Sequence, residues 1–159
     1  MSYELWKLLH IGSVVIFLGN ITTGLFWAAR AHKTRDFSYI ASTFESIIRS
    51  DRWFTIPGVV GILISGVAAA ANGNVPLLAT GWILWPIVLF SISGIVFGIW
   101  VAPLQRKLVN MTRAGADSQP EWSAYSQVYK RWELWGLLAL LTPVAALVIM
   151  VLKPSLPTL

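Results

Sequence analysis

The sequence predicts an all-α membrane protein, a bundle of four transmembrane helices, and three observations carry that expectation. Four apolar runs lie at residues 5–29, 53–71, 81–102 and 132–152, and about 20 helical residues are enough to cross a bilayer's hydrocarbon core. Apolar residues make up 56% of the 159 and charged residues 12%, against roughly 25% charged in a soluble domain. The basic side chains are segregated. Of twelve lysines and arginines, ten fall between the first and second runs or between the third and fourth.

The first run, Leu5 to Arg30, organises the rest. His10, Ser13, Phe17, Asn20, Gly24 and Trp27 recur at spacings of three and four, which sets them along one helical face. Leu18, Ile21 and Leu25 are left to face lipid. An ionisable side chain inside a span costs roughly 3 kcal/mol and usually turns toward protein, water or a ligand, so the role of His10 is the main functional question. A secretory signal is not expected, since the run is long, Glu4 replaces a basic leader and no small-residue cleavage site follows.

Loop one carries Phe37, Ile40, Ala41, Phe44, Ile47 and Ile48 at helical spacing, with Asp36 placed to cap the start. That predicts an amphipathic helix lying on the membrane or packed under the bundle. Ser50-Asp51-Arg52 precedes the second run, and Gly58, Gly61 and Gly66 within it favour close helix packing. The third run contains Gly94-x-x-x-Gly98, suited either to an internal contact or to a homodimer interface. Pro57, Pro86 and Pro143 lie inside spans, where they free carbonyls and bend helices. In loop three, residues 111–117 read as a turn, and Ser118-Gln119-Pro120-Glu121 as a helix cap leading into the fourth run.

Loop two, Asn72 to Thr80, has no charge. The positive-inside bias therefore puts loops one and three in the cytoplasm and both termini outside. Trp6, Trp82 and Trp85 would mark the outer interface, and Trp27, Trp53, Trp100 and Trp132 the inner one. The net charge of +5 then addresses anionic lipid headgroups and not nucleic acid. The chain has no cysteine, which excludes disulfides, thiolate metal sites and cysteine nucleophiles.

A duplication is also visible. Trp6 to Arg30 and Trp82 to Arg106 span equal intervals, and Arg52-Trp53 and Arg131-Trp132 open the second and fourth runs. Two parallel helical hairpins would produce this pattern. Pro86 stands where the repeat would place His10, so any chemistry belongs to the first hairpin.

On its residues alone, His10 has three readings. It is a packing histidine bonded to a neighbouring helix, a proton relay, or a metal or haem ligand. Apart from Glu133 at the very start of the fourth, the apolar runs hold no carboxylate, which counts against a relay and against hard-metal sites. His32 lies 22 residues further on, about 33 Å along a helix, and reads as a cytoplasmic surface residue. Asn20 reads as a helix–helix hydrogen bond. No nucleophile, base and orienting acid occur together, so no catalytic set is proposed.

The segment Trp6-Lys7-Leu8-Leu9-His10-Ile11, with Gly19 nine residues after the histidine, resembles the first span of CopD-type copper-resistance proteins, HemJ-type protoporphyrinogen oxidases and PuuD-type urate oxidases. Over nearly the whole chain, including Asp51-Arg52-Trp53-Phe54-Thr55-Ile56-Pro57-Gly58, it resembles a four-span bacterial family designated only as a domain of unknown function. The HemJ likeness implies haem b on His10. Phe17 stands where those families have tryptophan, and protoporphyrinogen oxidation is not carried over. The expected site is thus His10 as iron ligand near the outer face, lined by Ser13, Phe17 and Asn20, with Met150 of the fourth span as a second ligand. Electron transfer or haem handling would follow. The alternative is a non-enzymatic structural or transport-associated bundle in which His10 and Asn20 only pack.

Overall fold

The computed structural model describes residues 2–113 and 121–158, which form six α-helices with no strand among the described residues. Helix α1 is Tyr3–Thr34, started by the Ser2 hydroxyl accepting from the Leu5 amide and ended by Arg35 in the left-handed region. Helix α2, Phe37–Ser50, begins at Asp36, whose carboxylate accepts from the Ser38 and Tyr39 amides.

The loop-one helix is not a separate surface element. It continues through one π-helical turn, Asp51–Thr55, into α3, Ile56–Asn72. The rod Phe37–Asn72 has 36 residues, about 54 Å at the standard rise, so the apolar run is only part of it. Helix α4, Gly81–Val96, likewise passes through a second π-turn, Phe97–Val101, into α5, Ala102–Arg113. Met111 to Arg113 are therefore helical where a turn was expected. The rest of that turn and the cap at residues 118–120 lie outside the described residues. Helix α6 is Trp122–Leu152. Four rods long and apolar enough to cross a membrane result.

Packing follows the two hairpins that the repeat predicts. Helix α1 lies along α3 and α4 along α6, while α2 packs on α5 and α1 meets α6. Among the described residues α3 has no close backbone contact with α4 or α6. The main core fills the end from which loops one and three emerge, called the basic end below. There Ala28, Ala31, Phe44, Leu108, Tyr125 and Trp132 are buried together. Trp132, expected at an interface, is only 2% exposed because Phe44 packs edge-on against it at 4.9 Å.

Proline in the fourth rod is compensated. Pro143 has no amide hydrogen for the Ala139 carbonyl four residues earlier. The Ser93 hydroxyl of α4 donates to that carbonyl at 2.6 Å, which fastens the second hairpin where its own ladder is broken. At the opposite end the C-terminal tail returns to α4, and the Trp85 indole donates to the Pro157 carbonyl.

Candidate functional site

The predicted polar face of α1 meets α3 through His10, Ser13 and Phe17. Each of its first three members stands over a small residue. A Cβ built on Gly58 would lie 3.1 Å from the Phe17 Cβ, and one on Gly66 would lie 3.0 Å from the His10 ring. Ser13 sits against Gly61 in the same way. Glycines at 58, 61 and 66 thus let the backbones approach where α1 brings its bulk.

His10 is half-buried, and its Nδ1 lies 3.0 Å from the Ile62 carbonyl oxygen and 3.4 Å from the Ser65 hydroxyl. A carbonyl can only accept, so Nδ1 carries the hydrogen and donates. In the neutral ring the lone pair then belongs to Nε2. Metal-ligating histidines are held in this state, with the second nitrogen donating to a carbonyl or carboxylate.

The other residues expected around a cofactor are engaged elsewhere. Ser13 donates to the Leu9 carbonyl of its own helix at 2.8 Å. Phe17 is 3% exposed, closed between Gly58 and the Phe90 ring, whose centroid lies 5.4 Å away. Met150 is half-buried on α6, which packs chiefly on α4. At the α1–α3 seam His10 is thus the side chain that keeps a ring nitrogen free, while Ser13 and Phe17 pack between the two helices. Among the described residues no three His, Asp or Glu side chains gather as ligands of a bare metal ion would.

Asn20 belongs to a second constellation, which sequence reasoning missed. Its amide donates to Asp51 Oδ1 at 3.0 Å and to the Thr55 hydroxyl oxygen at 2.9 Å. The Thr55 hydroxyl donates in turn to Asp51 Oδ1 at 2.8 Å, and the Gln105 amide to Oδ2 at 3.1 Å. Asp51 is 8% exposed, Thr55 and Gln105 4% each. A carboxylate expected on the flank of the second span is thus buried, held by three neutral donors from α1, the first π-turn and α5. The π-turn sets this up, because Asp51 and Thr55 are its first and last residues. Ile21 lines a small cavity beside the cluster, and Leu25 packs on Gly136. Those two residues of α1 therefore face the bundle, whereas their spacing had suggested lipid.

His32, expected on the surface, is half-buried. It stacks on Tyr129 at 3.9 Å and 7°, flanked by Trp122 and Tyr125. Partners nearly a hundred residues away leave no local signal. Trp27, grouped with the polar face, is 48% exposed and lies beside Arg30.

Four apolar rods around a polar seam and a buried carboxylate define an integral membrane helical bundle. The chain belongs to the family described as predicted integral membrane protein (DUF2269), which matches residues 4–154. Nothing among curated proteins or solved structures matches it.

Proposed function

We propose that this is a membrane-embedded b-type haem protein in which His10 ligates iron through Nε2. The observation that carries it is the Nδ1 contact to the Ile62 carbonyl, which fixes the tautomer and aims the ring. Bound haem would supply one-electron chemistry, suited to electron transfer or haem handling. The Ile62 carbonyl orients the ligand, the Ser65 hydroxyl assists it, and Gly66 leaves room for the ring. Met150 is the candidate second ligand on the other hairpin. The resemblance of Trp6 to Ile11 to HemJ-type first spans supports the same cofactor. The basic residues of loops one and three support a bacterial inner membrane location with both termini outside.

A second reading rests on its own observation. Ser13, Phe17 and Asn20 all find partners inside the protomer, which favours a structural or transport-associated bundle in which His10 also only packs. Absorption of the detergent-purified protein titrated with haemin separates the two. The haem reading expects a Soret band that His10→Ala abolishes while the melting transition persists. Full haem content in His10→Ala overturns it, and absence of any band in the wild type leaves the packing role.

A further inference from the structure

An open groove of about 420 Å³ at the basic end is lined by Ser46, Arg49, Ser50, Trp53 and Phe54. All five belong to the rod Phe37–Asn72 and are related by steps of three and four, so they form one stripe running from α2 into the first π-turn. The turn itself creates the exposure. Asp51 and Thr55, its first and last residues, are tied inward to Asn20 and Gln105, which leaves Trp53 and Phe54 between them to face outward. Trp53 is 72% exposed and Phe54 51%.

The apolar part of this rod runs from residue 53 to 71, about 28 Å of helix, close to the roughly 30 Å of a bilayer's hydrocarbon. Trp53 and Phe54 therefore lie at the interface, where tryptophan is favoured, and Arg49 lies one turn outside, at headgroup level. On the hydrocarbon side α3 presents Ile56, Val60, Leu63, Ile64 and Val67, each about half-exposed. Helix α1 packs on the glycine side of α3, and among the described residues α4 and α6 make no close backbone contact with it. A cation, an aromatic pair and an aliphatic strip thus follow one another along one rod, in the order of a phospholipid's headgroup, glycerol and acyl chain.

Charge selects the headgroup. Glu45, one turn before Arg49, is paired with Arg113, and among the described residues Arg49 has no ion pair. The Ser46 and Ser50 hydroxyls donate to the Ser42 and Ile47 carbonyls, so Arg49 and the Trp53 indole are the lining groups with hydrogens to give. A guanidinium holds a phosphate through paired N–H donors. A second copy of the chain would bring its own basic end against this one, and like charges oppose that contact. We propose that the groove binds one anionic phospholipid, with its phosphate on Arg49, its glycerol region on Trp53 and Phe54, and an acyl chain along α3. The site is independent of His10 and of any haem.

Native mass spectrometry of the full chain in detergent, titrated with phosphatidylglycerol or phosphatidylcholine, tests this. The expected result is one tightly bound phosphatidylglycerol, with phosphatidylcholine at least about fivefold weaker. Arg49→Gln should weaken phosphatidylglycerol by at least about fivefold and erase the preference. Lys107→Gln, which removes the same charge from an exposed position on α5, should change neither. Trp53→Ala should weaken both lipids alike, and glycerol 1-phosphate, which lacks acyl chains, should not compete. Arg49, Trp53 and Lys107 are all exposed, so the melting transition should be unchanged in each variant. Equal losses in Arg49→Gln and Lys107→Gln would mean diffuse attraction by the basic end and would overturn the site. Effective competition by glycerol 1-phosphate would overturn it in favour of a soluble anion. A protein dimer that Trp53→Ala disperses and phosphatidylglycerol leaves intact would overturn it in favour of a second copy.

Discussion

Two side chains show how polar groups are made acceptable inside this bundle, and each predicts a cost. The Ser93 hydroxyl meets a carbonyl that Pro143 has freed. Ser93→Ala leaves that carbonyl bare and should lower stability by about 1 kcal/mol, read from detergent unfolding. Restoring the amide with Pro143→Ala should shrink the effect of Ser93→Ala, a coupling that a double-mutant cycle measures. Asn20 carries more. It donates to both Asp51 and Thr55, so Asn20→Leu removes two bonds and leaves Asp51 Oδ1 with Thr55 as its donor. A loss of about 1–3 kcal/mol is expected, larger than for Ser93→Ala. An equal or smaller loss would mean that the cluster is solvated and not closed.

At the scale of elements, the glycines divide by what surrounds them. Gly58 faces Phe17 across the α1–α3 seam, whereas a Cβ on Gly94 or Gly98 would meet nothing within 4 Å. Gly58→Leu overpacks the seam and should cost about 1–3 kcal/mol. Gly94→Leu should leave the protomer's melting unchanged, and if α4 mates with a second copy it should lower the dimer fraction seen by light scattering. Neither glycine pattern could be assigned from sequence, because a small-residue spacing is the same whether its partner is inside the protomer or outside. The spans themselves are legible, since hydropathy depends on composition over a window and survives any detail of packing. The π-turns are not, because one extra residue per turn leaves no compositional trace. That is why Asp51 reads as a flanking residue while its side chain lies against the middle of α1. The amphipathic pattern of α2 is legible too, but a helix resting on lipid and one packed on α5 show the same stripe. His10 is legible as a lone ionisable group. Its Ile62 partner is a backbone carbonyl, which no side-chain pattern encodes.

For the whole molecule the ten-to-two division of basic residues makes a claim about direction. Loops one and three emerge at one end of the bundle, with Ser42 exposed on α2, and loop two emerges at the other with Asn74 exposed. Positive side chains near span ends resist translocation, so the basic end should remain in the cytoplasm. The chain has no cysteine, which lets a single introduced thiol report its side without background. Asn74→Cys should react with a membrane-impermeant maleimide in intact cells, and Ser42→Cys should react only after the membrane is opened. Both positions are exposed on the structure, so silence at Ser42 reports the membrane and not burial. The same result bears on chemistry. With loop two outside, His10 lies about one and a half turns inside the outer end of its span, and Asn20 with Asp51 lies deeper, toward the cytoplasmic half. Labelling of Ser42→Cys in intact cells with Asn74→Cys silent would invert the bundle and move His10 to the inner leaflet.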